Sequence, residues 1–99
     1  MYDIIIVGAG PAGLTAAIYA RRANKKVLVF EAKSYGGQIV NAHLVENYPG
    51  IRSISGFDLA TEMYNQAIEL GAEIKFEIVK KITKEKSVIT DSGTYSAKA

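Results

Sequence analysis

The 99-residue sequence contains no cysteine, no tryptophan, two prolines and one histidine. Without cysteine these residues can form no disulfide framework, thiolate zinc site, cysteine nucleophile or dithiol redox pair. No run of like charges exceeds two residues and the net charge is +2, so the basic surface typical of nucleic-acid-binding proteins is missing. We therefore expect no nucleic-acid partner. A cysteine-free composition fits a reducing compartment, and the expected location is the cytoplasm.

Residues 4–20 carry no charge, which invites a membrane interpretation. A transmembrane helix needs about 20 mostly apolar residues, and this stretch is interrupted by three glycines and Pro11. A secretory signal begins with basic residues, whereas this chain opens with Met1, Tyr2 and Asp3. We therefore expect no membrane segment. A hydrophobic content of 48% instead fits one globular domain.

The first 31 residues predict a βαβ unit. The β-branched run Ile4–Val7 does not alternate apolar with polar residues, as is typical of a strand covered on both faces in a parallel sheet. Glycines follow, Pro11 suits the first turn of a helix, and good helix formers continue to about Asn24. Val27–Phe30 predicts a second buried strand, parallel to the first.

The second half of the chain predicts one helix and a group of strands. Between residues 32 and 55 no periodicity is present, and Ser55 with Asp58 resembles a capping box that starts a helix ending near Gly71. Residues 73–78 alternate as in a strand with one polar face. Successive antiparallel strands are predicted at residues 79–84, 87–90 and 94–97. The predicted fold is α/β: a Rossmann-like parallel sheet with helices plus a small antiparallel β-meander.

Residues 8–13 form the pattern G-x-G-x-x-G between the first strand and the helix. Gly8 permits the tight turn, Gly10 lets the backbone approach a pyrophosphate, and Gly13 lets helix and strand pack closely. The helix start offers free N–H groups and a positive dipole end to phosphate. A strand before this pattern, a helix after it and an acidic residue further along make it a strong predictor of dinucleotide binding.

That acidic residue is Glu31, 18 positions after Gly13, where it can accept hydrogen bonds from ribose hydroxyls. Its charge would repel a 2′-phosphate, so we expect the adenosine half of FAD or NAD rather than that of NADP. Lys33 would soften this preference, although we expect it to be solvent-exposed. The fingerprint does not choose between FAD and NAD. Gly36 and Gly37 offer a flexible backbone where the rest of a long cofactor would run.

Three segments resemble the amino-terminal FAD-binding segment of bacterial thioredoxin reductases: VGAGPAGLTAAIYARRA, FEAKSYGGQ and VENYPG. The resemblance covers essentially all 99 residues. It implies FAD as the cofactor, with its pyrophosphate on Gly10, Pro11 and Ala12 and its ribose on Glu31 and Ala32. It also implies that Gly37, Gln38 and Asn47 lie toward the ribityl chain and flavin, and the backbone near Ile82 toward the adenine.

The resemblance further implies an enzyme that passes electrons from NADPH through FAD to the disulfide of a thioredoxin-like protein, as a homodimer. Its NADPH domain with a C-x-x-C dithiol, and the carboxy-terminal part of its FAD domain, are not among these residues. We therefore expect residues 1–99 to be the amino-terminal part of an FAD-binding domain, inactive alone. Two alternatives stay open: a related ferredoxin or flavodoxin NADP reductase without the dithiol, and a non-catalytic nucleotide-binding module.

The sequence predicts no catalytic group and no metal site of its own. His43 has no companion ligand at metal spacing and is interpreted as a partly exposed spectator. We expect four tyrosines to pack against the protein rather than to stack on a ligand: Tyr19, Tyr35, Tyr48 and Tyr64.

Overall fold

The fold is given by a computed structural model that describes residues 1–33, 35–37, 41–42 and 44–99. Its elements are β1 (Ile4–Val7), α1 (Pro11–Arg22), β2 (Val27–Phe30), α2 (Gly56–Glu69), β3 (Glu73–Lys75), β4 (Val79–Ile82), β5 (Ser87–Thr90) and β6 (Thr94–Ser96).

The first sheet is parallel, with strand order β1-β2-β3. Ile4 pairs with Val27 and Val7 with Phe30, while β3 pairs with β2 from Leu28–Glu73 onward. The central strand β2 is buried at every position, which agrees with its apolar sequence. The predicted βαβ unit is confirmed, with α1 as its crossover.

Both helices cover one face of this sheet. Leu14 and Ala17 of α1 and Leu59 of α2 are buried in the same core as Val29. The side chain of Arg21 joins the ends of the helices, because its Nε donates to Leu70 O at 2.8 Å and its Nη1 donates to Lys25 O at 2.7 Å. Among the described ranges, no helix is both long and apolar enough to cross a bilayer.

The opposite face is covered by an antiparallel sheet of order β4-β5-β6. Leu28 and Phe30, the alternate side chains of β2, form a second buried cluster with Val88. The rings of Phe30 and Tyr95 meet edge to face with centroids 5.0 Å apart. The chain is therefore layered as helices, parallel sheet and antiparallel meander, and the predicted α/β class is confirmed.

The prediction of a strand over residues 73–78 is wrong after Lys75, where β3 ends. Its partner β2 also stops at Phe30, and the last ladder bond is donated by Glu31 N to Lys75 O at 3.0 Å. The chain then crosses to the meander, where the Glu77 carboxylate accepts from the hydroxyls of Thr90 at 2.7 Å and Tyr95 at 3.0 Å. These bonds hold residues 76–78 out of the sheet, so the alternating pattern there does not mark a buried face.

The other predicted boundaries shift by a few residues. The helix expected to reach Asn24 ends at Arg22, and Asn24 adopts the left-handed conformation with φ 62°. The Oγ of Ser55 accepts from Asp58 N at 3.1 Å, as expected for the start of α2. Two meander strands are shorter than predicted, since β4 ends at Ile82 and β6 at Ser96.

The last residues of the chain run alongside β1. Tyr2 and Ala97 form a parallel bridge. Ile5 N donates to Ala99 O at 2.9 Å, and Ala99 N donates to Asp3 O at 3.0 Å. These bonds lie on the side of β1 away from β2. Backbone pairing in the parallel sheet therefore continues beyond β1 to residues 97–99.

Candidate functional site at the glycine turn and Glu31

The turn between β1 and α1 is very tight. Gly8 has φ +107°, a conformation that side-chain-bearing residues rarely adopt, and its N–H donates to Phe30 O at 2.7 Å. A Cβ on Gly13 would lie 1.9 Å from Gly8 O and 3.3 Å from Ile6 Cγ2. Any side chain at position 13 would therefore overlap the backbone of the turn, so the helix and strand approach at a distance that only glycine permits.

The start of α1 keeps its N–H groups free of side-chain caps. Gly10 is the N-cap residue and Pro11 the first helical residue, and in the described part of the chain no side chain caps this end. The first turn also contains no acidic residue. Amide hydrogens and the positive end of the helix dipole favour an anion at such a position, and phosphate groups are the usual occupants.

Glu31 is held beside this turn by two backbone N–H groups. Its Oε1 accepts from Ala9 N at 2.8 Å and its Oε2 accepts from Lys33 N at 3.0 Å. An ionised carboxylate has about four acceptor sites, so each oxygen retains capacity for a further donor. The carboxylate is thus oriented and still able to accept hydroxyl hydrogens.

A second glycine segment lies against the first. The N–H of Gly36 donates to Ala9 O at 2.5 Å, and Gly37 has φ +59°. A Cβ on Gly37 would lie 3.3 Å from Gly10 Cα, while a Cβ on Gly10 would lie 4.0 Å from Gly37 Cα. The close approach of Gly10 and Gly37 joins two segments that the sequence separates by 26 residues.

A cleft of about 200 Å³ opens at the carboxyl ends of β1 and β2, next to the Glu31 carboxylate. Its walls include half-exposed apolar side chains, with Val7 51% and Ile78 53% exposed. Ligands of open α/β sheets bind at the carboxyl ends of the strands. The combination of apolar walls with the oriented carboxylate of Glu31 suits a nucleoside. The lining residues are Val7, Gly8, Phe30, Glu31, Ala32, Glu77, Ile78 and Val79.

Sequence reasoning missed five of these lining residues: Val7, Phe30, Glu77, Ile78 and Val79. Two of them could have been predicted from the sequence, because Val7 and Phe30 are the last residues of predicted parallel strands and ligands bind at that end. The other three reach the cleft only because the chain leaves the sheet after Lys75. An alternating sequence does not indicate that departure.

The structure does not bring every predicted residue to the turn. Asn47 is exposed, two residues beyond the bridge between Val45 and Ile54, and within the described ranges no hydrogen bond joins it to the glycine turn. Ile82 is 62% exposed and lines a neighbouring cleft that shares Val7.

Not every residue singled out in the sequence lies in the described part of the chain. Gln38 and His43 lie outside the described residues. In the part of the chain that the structure covers, no group of three or more histidine, cysteine, aspartate or glutamate side chains is arranged to hold a metal ion. Tyr35 and Tyr64 pack on one another.

The chain is similar to several known proteins. Residues 2–99 match the family model described as pyridine nucleotide-disulphide oxidoreductase. The chain is 51% identical to thioredoxin reductase from Treponema pallidum over 100 residues, which cover 97% of this chain and 33% of that protein. Thioredoxin reductase from Streptococcus pyogenes superposes with a TM-score of 0.94 and 44% identity, covering 99% of this chain and 33% of the other.

A third similar protein is the ferredoxin-flavin thioredoxin reductase from Clostridium acetobutylicum. It superposes with a TM-score of 0.86 and 34% identity, covering 98% of this chain and 35% of the other. The chain belongs to the pyridine nucleotide-disulphide oxidoreductase family. It spans about a third of the length of the curated relatives that it matches.

Proposed function

We propose that residues 1–99 bind the adenosine diphosphate half of FAD within a thioredoxin-reductase-like flavoprotein. The observation that carries the proposal is the fixed position of the Glu31 carboxylate, 2.8 Å from the N–H of Ala9 inside the glycine turn. A sugar-binding carboxylate thereby stands next to a helix start that favours phosphate. Membership of a pyridine nucleotide-disulphide oxidoreductase family supports the same assignment.

The described residues fit each part of this ligand. The diphosphate would lie on the uncapped amides of Ala12 and Gly13, with Gly10 and Gly37 leaving the approach free of Cβ atoms. The ribose hydroxyls would donate to Glu31. The adenine would enter the apolar cleft beyond it, in contact with Ile78.

FAD, when bound, supplies two-electron transfer between a nicotinamide and a disulfide. In the complete protein we propose that NADPH is the donor and a thioredoxin-like disulfide protein the acceptor, within a cytoplasmic homodimer. The name thioredoxin reductase, which its bacterial relatives carry, supports the choice of acceptor. The residues described here bind and orient, and none of them is proposed to exchange a proton or form a covalent bond with substrate.

Titration of the 99-residue chain with FAD, followed by flavin fluorescence, tests the proposal. We expect weak, saturable binding that ADP reverses, because the proposed contacts are to the adenosine diphosphate half. Riboflavin, which lacks that half, is the matched control ligand and should not bind. Failure of FAD to bind, or binding of riboflavin with the same affinity, would contradict the assignment.

Ferredoxin is a second candidate electron-transfer partner, because one similar solved protein is named a ferredoxin-flavin thioredoxin reductase. Stopped-flow reduction of the flavin in the complete protein, with NADPH and with reduced ferredoxin in separate reactions, distinguishes the two donors. A complete protein that is colourless on purification and binds ADP as tightly as FAD would instead support the non-catalytic nucleotide-binding module.

A further inference from the structure

Tyr35 links the second glycine segment to helix α2. Its ring stacks on that of Tyr64, with centroids 4.3 Å apart and an interplanar angle of 24°. Its hydroxyl lies 3.1 Å from Thr61 Oγ1, and both groups are partly buried. Tyr64 and Thr61 are three residues apart on α2 and so lie on one face of that helix. One side chain of the loop is therefore fixed both through its ring and through its polar tip.

The two residues that follow Tyr35 are those that meet the glycine turn. Gly36 donates its N–H to Ala9 O at 2.5 Å, and Gly37 lies against Gly10. Glycine loses more conformational freedom on ordering than any other residue, so a pair of glycines does not hold its own position. The aromatic contact one residue earlier restricts this segment before any ligand binds.

We propose that Tyr35 is a positioning residue for the diphosphate. By anchoring Gly36 and Gly37 to α2, it holds these glycines against Gly10, so that the two glycine segments together form the Cβ-free surface on which the phosphates would lie. The inference rests on the proposed function, since it concerns the same site. It predicts that contacts made by α2, which does not line the cleft beside Glu31, control affinity for the cofactor.

Five variants test this inference: Y35F, Y35L, T61V, the double variant Y35F/T61V, and Y19L as the matched control. Tyr19 is 66% exposed on α1, so its replacement removes a ring without touching either glycine segment. For each variant we would measure the dissociation constants of FAD and ADP by titration, together with the urea midpoint of the ligand-free protein. The midpoint separates a loss of folded protein from a loss of affinity.

We expect Y35L to weaken FAD and ADP binding by roughly 3- to 10-fold, the range expected for loss of an aromatic pair. Y35F keeps the ring and should lose only about 2- to 3-fold, the lower end of the range for a single neutral hydrogen bond. T61V should match Y35F, and the double variant should lose no more than either single one, because both changes remove the same contact. Y19L should leave the dissociation constants unchanged.

Unchanged affinity in Y35L, measured on folded protein, would overturn the inference while leaving the proposed function intact. Additive losses in the double variant would also overturn it, since the two hydroxyls would then act separately. A wild-type chain that binds neither FAD nor ADP would overturn the proposed function itself, and this inference with it.

Discussion

The Glu31 carboxylate accepts a hydrogen bond from the N–H of Ala9 at 2.8 Å, so the end of β2 fixes the second residue of the glycine turn. The two groups are 22 residues apart and meet because β1 and β2 are adjacent parallel strands in register, with Val7 beside Phe30. The carboxylate is positioned by the fold before any ligand arrives. Preorganised acceptors raise affinity chiefly because little ordering is left to occur on binding.

Replacement of Glu31 by alanine should weaken FAD binding by about 1.5 to 3 kcal/mol, the range for hydrogen bonds to a charged group. The loss includes the proposed hydrogen bonds from the ribose hydroxyls and the hydrogen bond from Ala9 N–H to the carboxylate. Isothermal titration or flavin fluorescence measures it. Glu62→Ala on α2 is the control, because that exposed carboxylate is not part of the cleft. Equal affinity in Glu31→Ala and wild type would show that another group holds the ribose.

The charge of Glu31 should also determine which ribose is accepted. Wild type should prefer ADP-ribose to its 2′-phosphorylated form, because a phosphate beside a carboxylate is repelled. Glu31→Gln keeps the side-chain shape and removes the charge, so the preference should fall by about fivefold, equivalent to ~1 kcal/mol, the repulsion of two unit charges about 4 Å apart in water. Competition of each compound against FAD gives the ratio. An unchanged ratio would place the carboxylate away from the 2′ position.

Gly10→Val should abolish FAD binding. A Cβ at this position would already lie 4.0 Å from Gly37 Cα, so the two γ-methyl groups of valine would crowd Gly37 and cover the surface offered to the phosphates. Gly93→Ala is the control, because a Cβ there meets no atom within 4 Å. Wild-type affinity in Gly10→Val would show that no diphosphate lies at Gly10.

Local patterns were sufficient to predict the layers of the fold. The apolar runs of β1 and β2, the glycine turn between β1 and α1, and the Ser55 cap of α2 each depend on neighbours along the chain. The predicted strand over residues 73–78 failed for a long-range reason. The Glu77 carboxylate accepts hydrogen bonds from the hydroxyls of Thr90 and Tyr95, which lie 13 and 18 residues further along the chain.

The site shows the same division between local and distant causes. The roles of the glycine pattern and of Glu31 could be predicted because their spacing in a βαβ unit fixes their positions relative to one another. The contact between Gly10 and Gly37, and the stacking of Tyr35 on Tyr64, depend on where residues 35–37 lie relative to the glycine turn and α2. The sequence around residues 35–37 has no periodicity from which these long-range contacts can be predicted.

Gly13→Ala should destabilise the fold despite the better helix propensity of alanine. At an exposed helical site this change would stabilise by up to about 1 kcal/mol. Here the new Cβ would lie 1.9 Å from Gly8 O, and the backbone of the turn must move. We expect a net loss of about 1 to 3 kcal/mol in the free energy of unfolding, measured with urea. Gly93→Ala serves as the control, and a stabilised Gly13→Ala variant would contradict the observed packing.

Alkaline pH should destabilise the protein through Tyr2. Its partial burial, together with the hydroxyl's hydrogen bonds to the Glu73 carboxylate at 2.8 and 2.9 Å, raises the pKa of Tyr2 from 10.0 to about 12. The folded state therefore binds this proton more tightly than the unfolded state does. The resulting stability is fully present below pH 10 and is lost as the pH rises toward 12.

Because Tyr2 is partly exposed, solvent screening should limit this effect to less than about 1 kcal/mol. Urea unfolding at pH 8 and pH 11 should show a smaller loss of stability in Tyr2→Phe than in wild type. Tyr19→Phe, which alters an exposed ring, should retain the full wild-type loss. Partial burial, together with the hydrogen bond to the Glu77 carboxylate, raises the pKa of Tyr95 as well, so some loss should persist in Tyr2→Phe. Identical losses in wild type and Tyr2→Phe would show that the contact between Tyr2 and Glu73 contributes nothing to the alkaline transition.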